Sequence, residues 1–152
     1  MKLYQSSEVI RLSGLTNSQL REWCGRRSIY SPTKPAKGSG VIAMYTWHDV
    51  ICLRLLLVLH NDFGVVLSDW SPSIRKLRKM LNGLPFQSMW GKNVFFTDKN
   101  SVLISSSQSN GGLSSGLSIS LAPHLSVISA DNQPVHEQRN LLLLASVGKT
   151  ST

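Results

Sequence analysis

An α+β fold is predicted by three features of this 152-residue chain. A glycine separates two short amphipathic segments within residues 6–27, a 3.6-residue periodicity continues to Leu81, and alternation with a period of two takes over after Asn82-Gly83-Leu84-Pro85. Apolar residues make up 41% of the chain, enough for a packed core, which excludes wholesale disorder.

The first helix is expected over residues 6–13, with Val9, Ile10 and Leu12 available to the core. Gly14 ends it, because a residue without a Cβ enters the left-handed conformation freely, and Leu15 plugs the turn. Thr16 with Gln19 three residues later matches a capping box, so a second helix starts at Asn17. Leu20 and either Trp23 or Cys24 face inward at helical spacing, leaving Asn17, Ser18, Arg21 and Gly25 outward. That helix ends near Arg27, and Ser31-Pro32 confirms the stop.

Residues 33–45 hold a glycine-bearing polar centre between strand-like flanks, which predicts a β-hairpin with a cationic tip. Thr46 caps a third helix, with Asp49 near its positive end and Val50, Leu53, Leu56, Leu57 and His60 directed to the core. Phe63-Gly64 breaks it. Ser68 or Ser71 opens a fourth helix to about Leu81, with Ile74, Leu77 and Leu81 on one face and Arg75, Lys76, Arg78 and Lys79 on the other.

The best domain boundary lies at 82/83. Beyond it, residues 93–97 and 101–105 read as a hairpin around Asp98-Lys99-Asn100. Residues 105–120 are rich in serine and glycine, a flexible loop leading into a strand near 117–121. A further strand is expected over 125–128, and Gln133-Pro134 opens a last helix through Ala145. Residues 83–148 thus form a small β-rich region, and 149–152 a disordered tail.

The charge is unevenly placed. Residues 1–82 carry twelve Lys/Arg against five Asp/Glu, a balance of +7, while residues 83–152 carry four against three. The basic half is suited to a polyanion. Cys24 and Cys52, each in a helical segment, make no disulfide framework, and free thiols fit a reducing cytoplasm, the expected location. The longest apolar runs, 55–59 and 141–145, are far short of the roughly 20 residues of a membrane span. His48, His60, His124 and His136 show no metal-ligand spacing with either cysteine, and no nucleophile elbow or phosphate loop is present. Neither an enzyme nor a cofactor or metal is expected.

Two helices joined at Gly14, the second presenting polar and cationic side chains, outline a helix-turn-helix, and the glycine-bearing hairpin adds a wing. Residues 4–81 resemble the winged helix-turn-helix domain of the mercury-resistance-regulator (MerR) family of bacterial transcription regulators. The match runs through Ser7-Glu8-Val9-Ile10-Arg11-Leu12-Ser13-Gly14-Leu15, Gln19-Leu20-Arg21-Glu22-Trp23, Ser31-Pro32, Pro35-Ala36-Lys37-Gly38-Ser39-Gly40 and Tyr45-Thr46-Trp47-His48-Asp49-Val50. Four helices plus the wing would then occupy residues 1–82. Glu22 stands where many members have an aromatic residue, Ser28 where a glycine is usual and Ala43 where a wing arginine is usual. The long dimerising coiled coil and the metal-binding cysteines of some members have no counterpart.

The resemblance implies a homodimer on double-stranded DNA, straddling a partly palindromic operator. By position Asn17, Ser18 and Arg21 face bases, and Arg21 has the guanidinium fork that pairs bidentately with guanine. Trp23, Arg26 and Arg27 lie near the backbone, although core packing is an equal reading of Trp23. Lys34, Lys37, Gly38, Ser39 and the backbone to Gly40 form the wing contacts, and Tyr45 belongs to the same surface. Trp47 and Trp70 read as packing residues. The Arg75/Lys76/Arg78/Lys79 face reads first as solvated surface, with an extended phosphate track as the alternative. The function expected is a sequence-specific transcription regulator, a repressor. The alternatives are an excisionase-like or phage or plasmid accessory protein that shapes DNA, and an antitoxin-type module whose C-terminal region clasps a protein partner through the Leu141–Leu144 run.

Overall fold

The helices α1 (Ser6–Ser13) and α2 (Asn17–Arg21) form where their local signals place them in the computed structural model, which describes residues 1–106 and 115–132. Gly14 takes φ 82° and donates its N–H to the Ile10 carbonyl, closing α1. The Thr16 hydroxyl accepts from the Gln19 N–H at 3.1 Å while the Gln19 side chain accepts from the Thr16 N–H at 3.0 Å, so the capping box is complete. Past Arg21 the helix widens into a π turn over Glu22–Arg26, with the Arg27 N–H bonded to the Glu22 carbonyl at 2.8 Å. It stops at Ser28, which sits at φ 49° and donates its hydroxyl to the Gly25 carbonyl. Serine here adopts the left-handed conformation that glycine would take without strain.

The hairpin expected over 33–45 is a loop closed by one bridge. Lys34 and Met44 exchange both backbone hydrogen bonds, and Tyr45 pairs in turn with Tyr4. The ladder goes no further: residues 35–43 make no other bridge.

Helix α3 (Trp47–Asn61) begins on a second capping box, Thr46 with Asp49, and is buried on nearly every side. Val50, Leu53 and Leu56 are in the core as expected, joined by Ile51, Cys52, Leu55 and Leu59. His60 is not: it is exposed, with its ring edge-on to Trp23. Helix α4 (Leu67–Asn82) starts before either serine proposed to open it, and includes Pro72. Burial of Leu67 draws the first turn onto the core, and Ser71 spends its hydroxyl on the Ile29 carbonyl at 2.6 Å instead of capping. Ile74, Leu77 and Leu81 are fully buried.

After a 3-10 turn at Phe86–Met89 come β1 (Lys92–Asp98), β2 (Ser101–Ser106) and β3 (Leu117–Ser120), an antiparallel sheet in the order β2-β1-β3. The β1–β2 hairpin turns at Lys99-Asn100, where the Asp98 carboxylate accepts from the Asn100 N–H. Gly116 lets β3 start against β1: a Cβ there would lie 2.4 Å from the Phe96 carbonyl oxygen.

The strand expected at 125–128 is instead part of α5 (Ala122–Asn132). Leu121 finishes the sheet by bonding to Lys92, Pro123 is tolerated in a first helical turn, and Leu125 and Ile128 fall on the buried side with His124. The C-terminal region is therefore a small sheet with a helix. The last helix proposed to reach Ala145, the 149–152 tail and residues 107–114 of the Ser/Gly loop lie outside the described residues, while Ser105 and Ser106 at the start of that loop belong to β2.

One hydrophobic cluster runs from Tyr4 and Val9 through α3 to Phe96, Leu121 and Ile128, so a single core crosses the 82/83 boundary. Polar links reinforce it. Arg54 on α3 donates to the Leu12 carbonyl at the end of α1 (2.6 Å) and to His124 Nδ1 on α5 (2.9 Å). Asp131 accepts from Lys2 at 3.0 Å and Arg11 at 2.7 Å. Although burial pulls its acidity the other way, those two hydrogen bonds hold the Asp131 carboxyl below the usual range.

Candidate nucleic-acid interface

The capping box and the inward pull of Leu20 fix which way α2 faces. Asn17, Ser18 and Arg21 share one solvent-exposed ledge, as their spacing requires, and Arg26 and Arg27 extend it past the π turn. An open cleft of about 430 Å³ separates this ledge from the 33–45 loop, with Asn17, Arg21 and Gly25 on one side and Pro35, Ala36 and Ala43 on the other. A second hollow of about 330 Å³ is bounded by Ser18, Arg21, Glu22 and Arg26. Arg21 borders both. Lys34, Lys37, Gly38 and Ser39 are exposed along the loop, and Gly38 and Gly40, at φ 61° and 93°, turn its tip.

The loop is anchored by a buried carboxylate. Asp49, fully buried, accepts from the Tyr30 hydroxyl, from the Thr33 N–H at 3.0 Å, from the Thr33 hydroxyl at 2.5 Å and from the Thr46 N–H at 2.8 Å. Arg78 of α4 completes the set, its Nε 3.1 Å from Asp49 and its Nη2 2.9 Å from the Thr33 hydroxyl. A buried charge is tolerated only when paired and hydrogen-bonded, and this one uses both requirements to fix Thr33, the residue before Lys34. Arg78 is thus half-buried and committed, not part of a solvated face.

Two residues assigned to the contact surface belong elsewhere. Trp23 is only 3% exposed and packs in the core, three residues after Leu20 on the same inward side; of its two readings, packing holds. Tyr45 is also 3% exposed, its backbone tied to Tyr4 and its hydroxyl set against Ser6 and Cys24, so it lines the cleft from within. Burial pushes the Tyr45 hydroxyl and the Cys24 and Cys52 thiols up to about 12, which keeps all three protonated and the thiols unreactive.

The electrostatic character of the surface follows from what its cations lack. Arg21, Arg26, Arg27, Lys34 and Lys37 make no ion pair among the described residues, where the three pairs use Lys2, Arg11 and Arg78. Five uncompensated charges on an exposed ledge and loop give this surface a positive potential.

Sequence reasoning missed Ser6, Pro35 and Ala36 as cleft residues, and Tyr30, Thr33 and Arg78 as the residues that hold the loop. Pro35 and Ala36 follow a local proline signal, Ser6 has none, and neither does the second group, because its partner Asp49 is 16 to 29 positions away. Among the described residues no group of three His, Cys, Asp or Glu side chains is placed to hold a metal, and no helix is long and apolar enough to cross a membrane. No protein-family model matches the chain, and no curated protein matches it.

Proposed function

We propose that this chain is a sequence-specific, double-stranded-DNA-binding transcription regulator, a repressor acting as a homodimer. In this reading α1, the Gly14 turn and α2 form a helix-turn-helix, α2 enters the major groove, and the 33–45 loop is a wing on the flanking backbone. The observation that carries it is the set of five unpaired cations, Arg21, Arg26, Arg27, Lys34 and Lys37, around the polar ledge of Asn17, Ser18 and Arg21. Asn17 and Arg21 have the donor and acceptor geometry for base edges, and the others suit phosphates. Ala43 lines the cleft, so the wing's grip falls to Lys34 and Lys37.

Binding-site selection from random duplexes, followed by anisotropy titration across salt concentrations, tests the reading. The selected duplex binds with a log–log salt slope of about −3 to −4 per protomer, about −7 for the dimer, as the four phosphate contacts of each protomer imply. Folded protein that binds no duplex in a salt-dependent way overturns it. Light scattering of the complex reports the dimer.

A second reading, an excisionase-like protein that shapes DNA, is favoured by one observation. After α4 the described chain doubles back into the sheet and α5 on the same core, leaving no long projecting helix there for a paired coiled coil. Footprints of evenly spaced direct repeats, in place of one palindrome, select it. The antitoxin reading rests on Leu141–Leu144, outside the described residues.

A further inference from the structure

Helix α4 carries cations that the core does not use. Along its surface Arg75 and Lys79 lie four residues apart at the centre of the exposed face, with Arg78 and Lys76 on opposite flanks. The flanks are tied to different parts of the fold. Arg78 reaches Thr33 and Asp49 at the base of the Lys34 loop, and Lys76 donates to the Asn100 carbonyl in the β1–β2 turn, beside Lys99. Read across the helix, the order is Lys34, Arg75 with Lys79, Lys76, Lys99: a cationic stripe joining the 33–45 loop to the sheet, held to the loop by Arg78, whose own charge is spent on Asp49. Arg75 and Lys79 make no ion pair among the described residues. The acids closest along the chain are Asp69 in the first turn of α4 and Asp98, whose carboxylate is turned to the Asn100 N–H. Asp49 is already neutralised by Arg78.

We propose that this stripe is a second phosphate-binding surface, which takes the sugar-phosphate backbone of the same duplex beyond the segment held by α2 and Lys34. The inference rests on the DNA-binding reading and extends it: Lys34 is where the two surfaces meet, so the backbone leaving the loop passes onto α4. The contacts are to phosphates, not bases, because the stripe presents Lys and Arg with no Asn, Gln or Ser at the helix centre. They lengthen the footprint and strengthen binding equally on any sequence.

The experiment compares the full chain with an Arg75→Ala/Lys79→Ala variant on two duplexes containing the same selected site, one of about 14 base pairs and one of about 30. Both substitutions are on an exposed helix face, and circular dichroism and the melting curve check that the fold is retained. On the long duplex the variant loses about two units of salt slope per protomer, about four for the dimer, and binds at least roughly tenfold more weakly at moderate salt, while on the short duplex it matches wild type. Equal slopes for both proteins on the long duplex overturn the proposal. Equal losses on both lengths overturn it too, since the stripe would then belong to the primary contact. An Arg21→Ala/Lys34→Ala variant separates the two readings. If it fails on both duplexes while the α4 variant behaves as wild type on both, the second surface falls and the first stands. If wild type binds neither duplex, both fall.

Discussion

The seam where α1, α3 and α5 meet and the ledge formed by α2 with the 33–45 loop are both rich in Lys and Arg, yet the two put those charges to opposite uses. In the seam every cation has an internal partner: Lys2 and Arg11 hold Asp131, and Arg54 spans the end of α1 and His124. On the ledge none of the five has an ion-pair partner among the described residues. Net charge counts both alike. What separates them is an acceptor within about 3 Å, and it decides whether a substitution is felt in unfolding or, under the proposed function, in DNA binding.

That contrast can be broken by experiment. The largest effect is expected at Asp49, the acceptor that turns Arg78 from a free cation into an anchored one. Asp49→Ala strands Tyr30, Thr33, Thr46 and Arg78 and lowers stability by about 3–5 kcal/mol in urea titration. Next is acidification of the seam. Burial, then the charge of Arg54, push His124 down to about 4, so the folded ring stays neutral where the unfolded ring, near 6.5, takes a proton. The unfolded state binds more protons in that window, and stability falls as pH drops from about 6.5 to 4, by about 3 kcal/mol for this ring. His48 is displaced in the same sense, chiefly by burial; a His124→Gln variant, which keeps an acceptor for Arg54, isolates the His124 share as the part of the slope that disappears.

Arg54→Met should cost about 2 kcal/mol, since it removes the donors to Leu12 and His124, and should leave the ledge untouched. Arg21→Ala should do the reverse: a melting curve within about 0.5 kcal/mol of wild type, with selected-duplex binding weakened about 10–100-fold. A large loss of stability in Arg21→Ala would erase the distinction between the two regions. The smallest effect is expected where the ledge ends: Ser28→Gly relieves the left-handed backbone and stabilises by less than about 1 kcal/mol, seen as a small rise in melting temperature.

What was legible in the sequence was local. Gly14, Thr16 with Gln19, and Thr46 with Asp49 act over three or four residues, so the boundaries of α1, α2 and α3 and the exposure of Asn17, Ser18 and Arg21 could be read directly. Periodicity failed where a short run fits two structures: Leu125–Ile128 is equally good as a strand, and only its place after β3 makes it helical. Pro72 concealed the start of α4, because a proline reads as a boundary although the core could draw Leu67 in ahead of it. Within the candidate interface, the spacing of Trp23 from Leu20 allowed either packing or a backbone contact, and only the assembled core decides for packing. The commitment of Arg78 depends on a carboxylate 29 positions away. Both are tertiary facts.

The seam also sets an order of events during synthesis. Tyr4 bonds to Asn132 across 128 positions, and Lys2 and Arg11 reach Asp131 across 129 and 120. On a ribosome adding roughly 5–20 residues per second, the basic half waits several seconds for α5 to emerge before these contacts can close. During that interval the nascent chain carries its positive charge without the helix that locks α1 in place. The growing polypeptide acquires its finished N-terminal surface late, when α5 arrives.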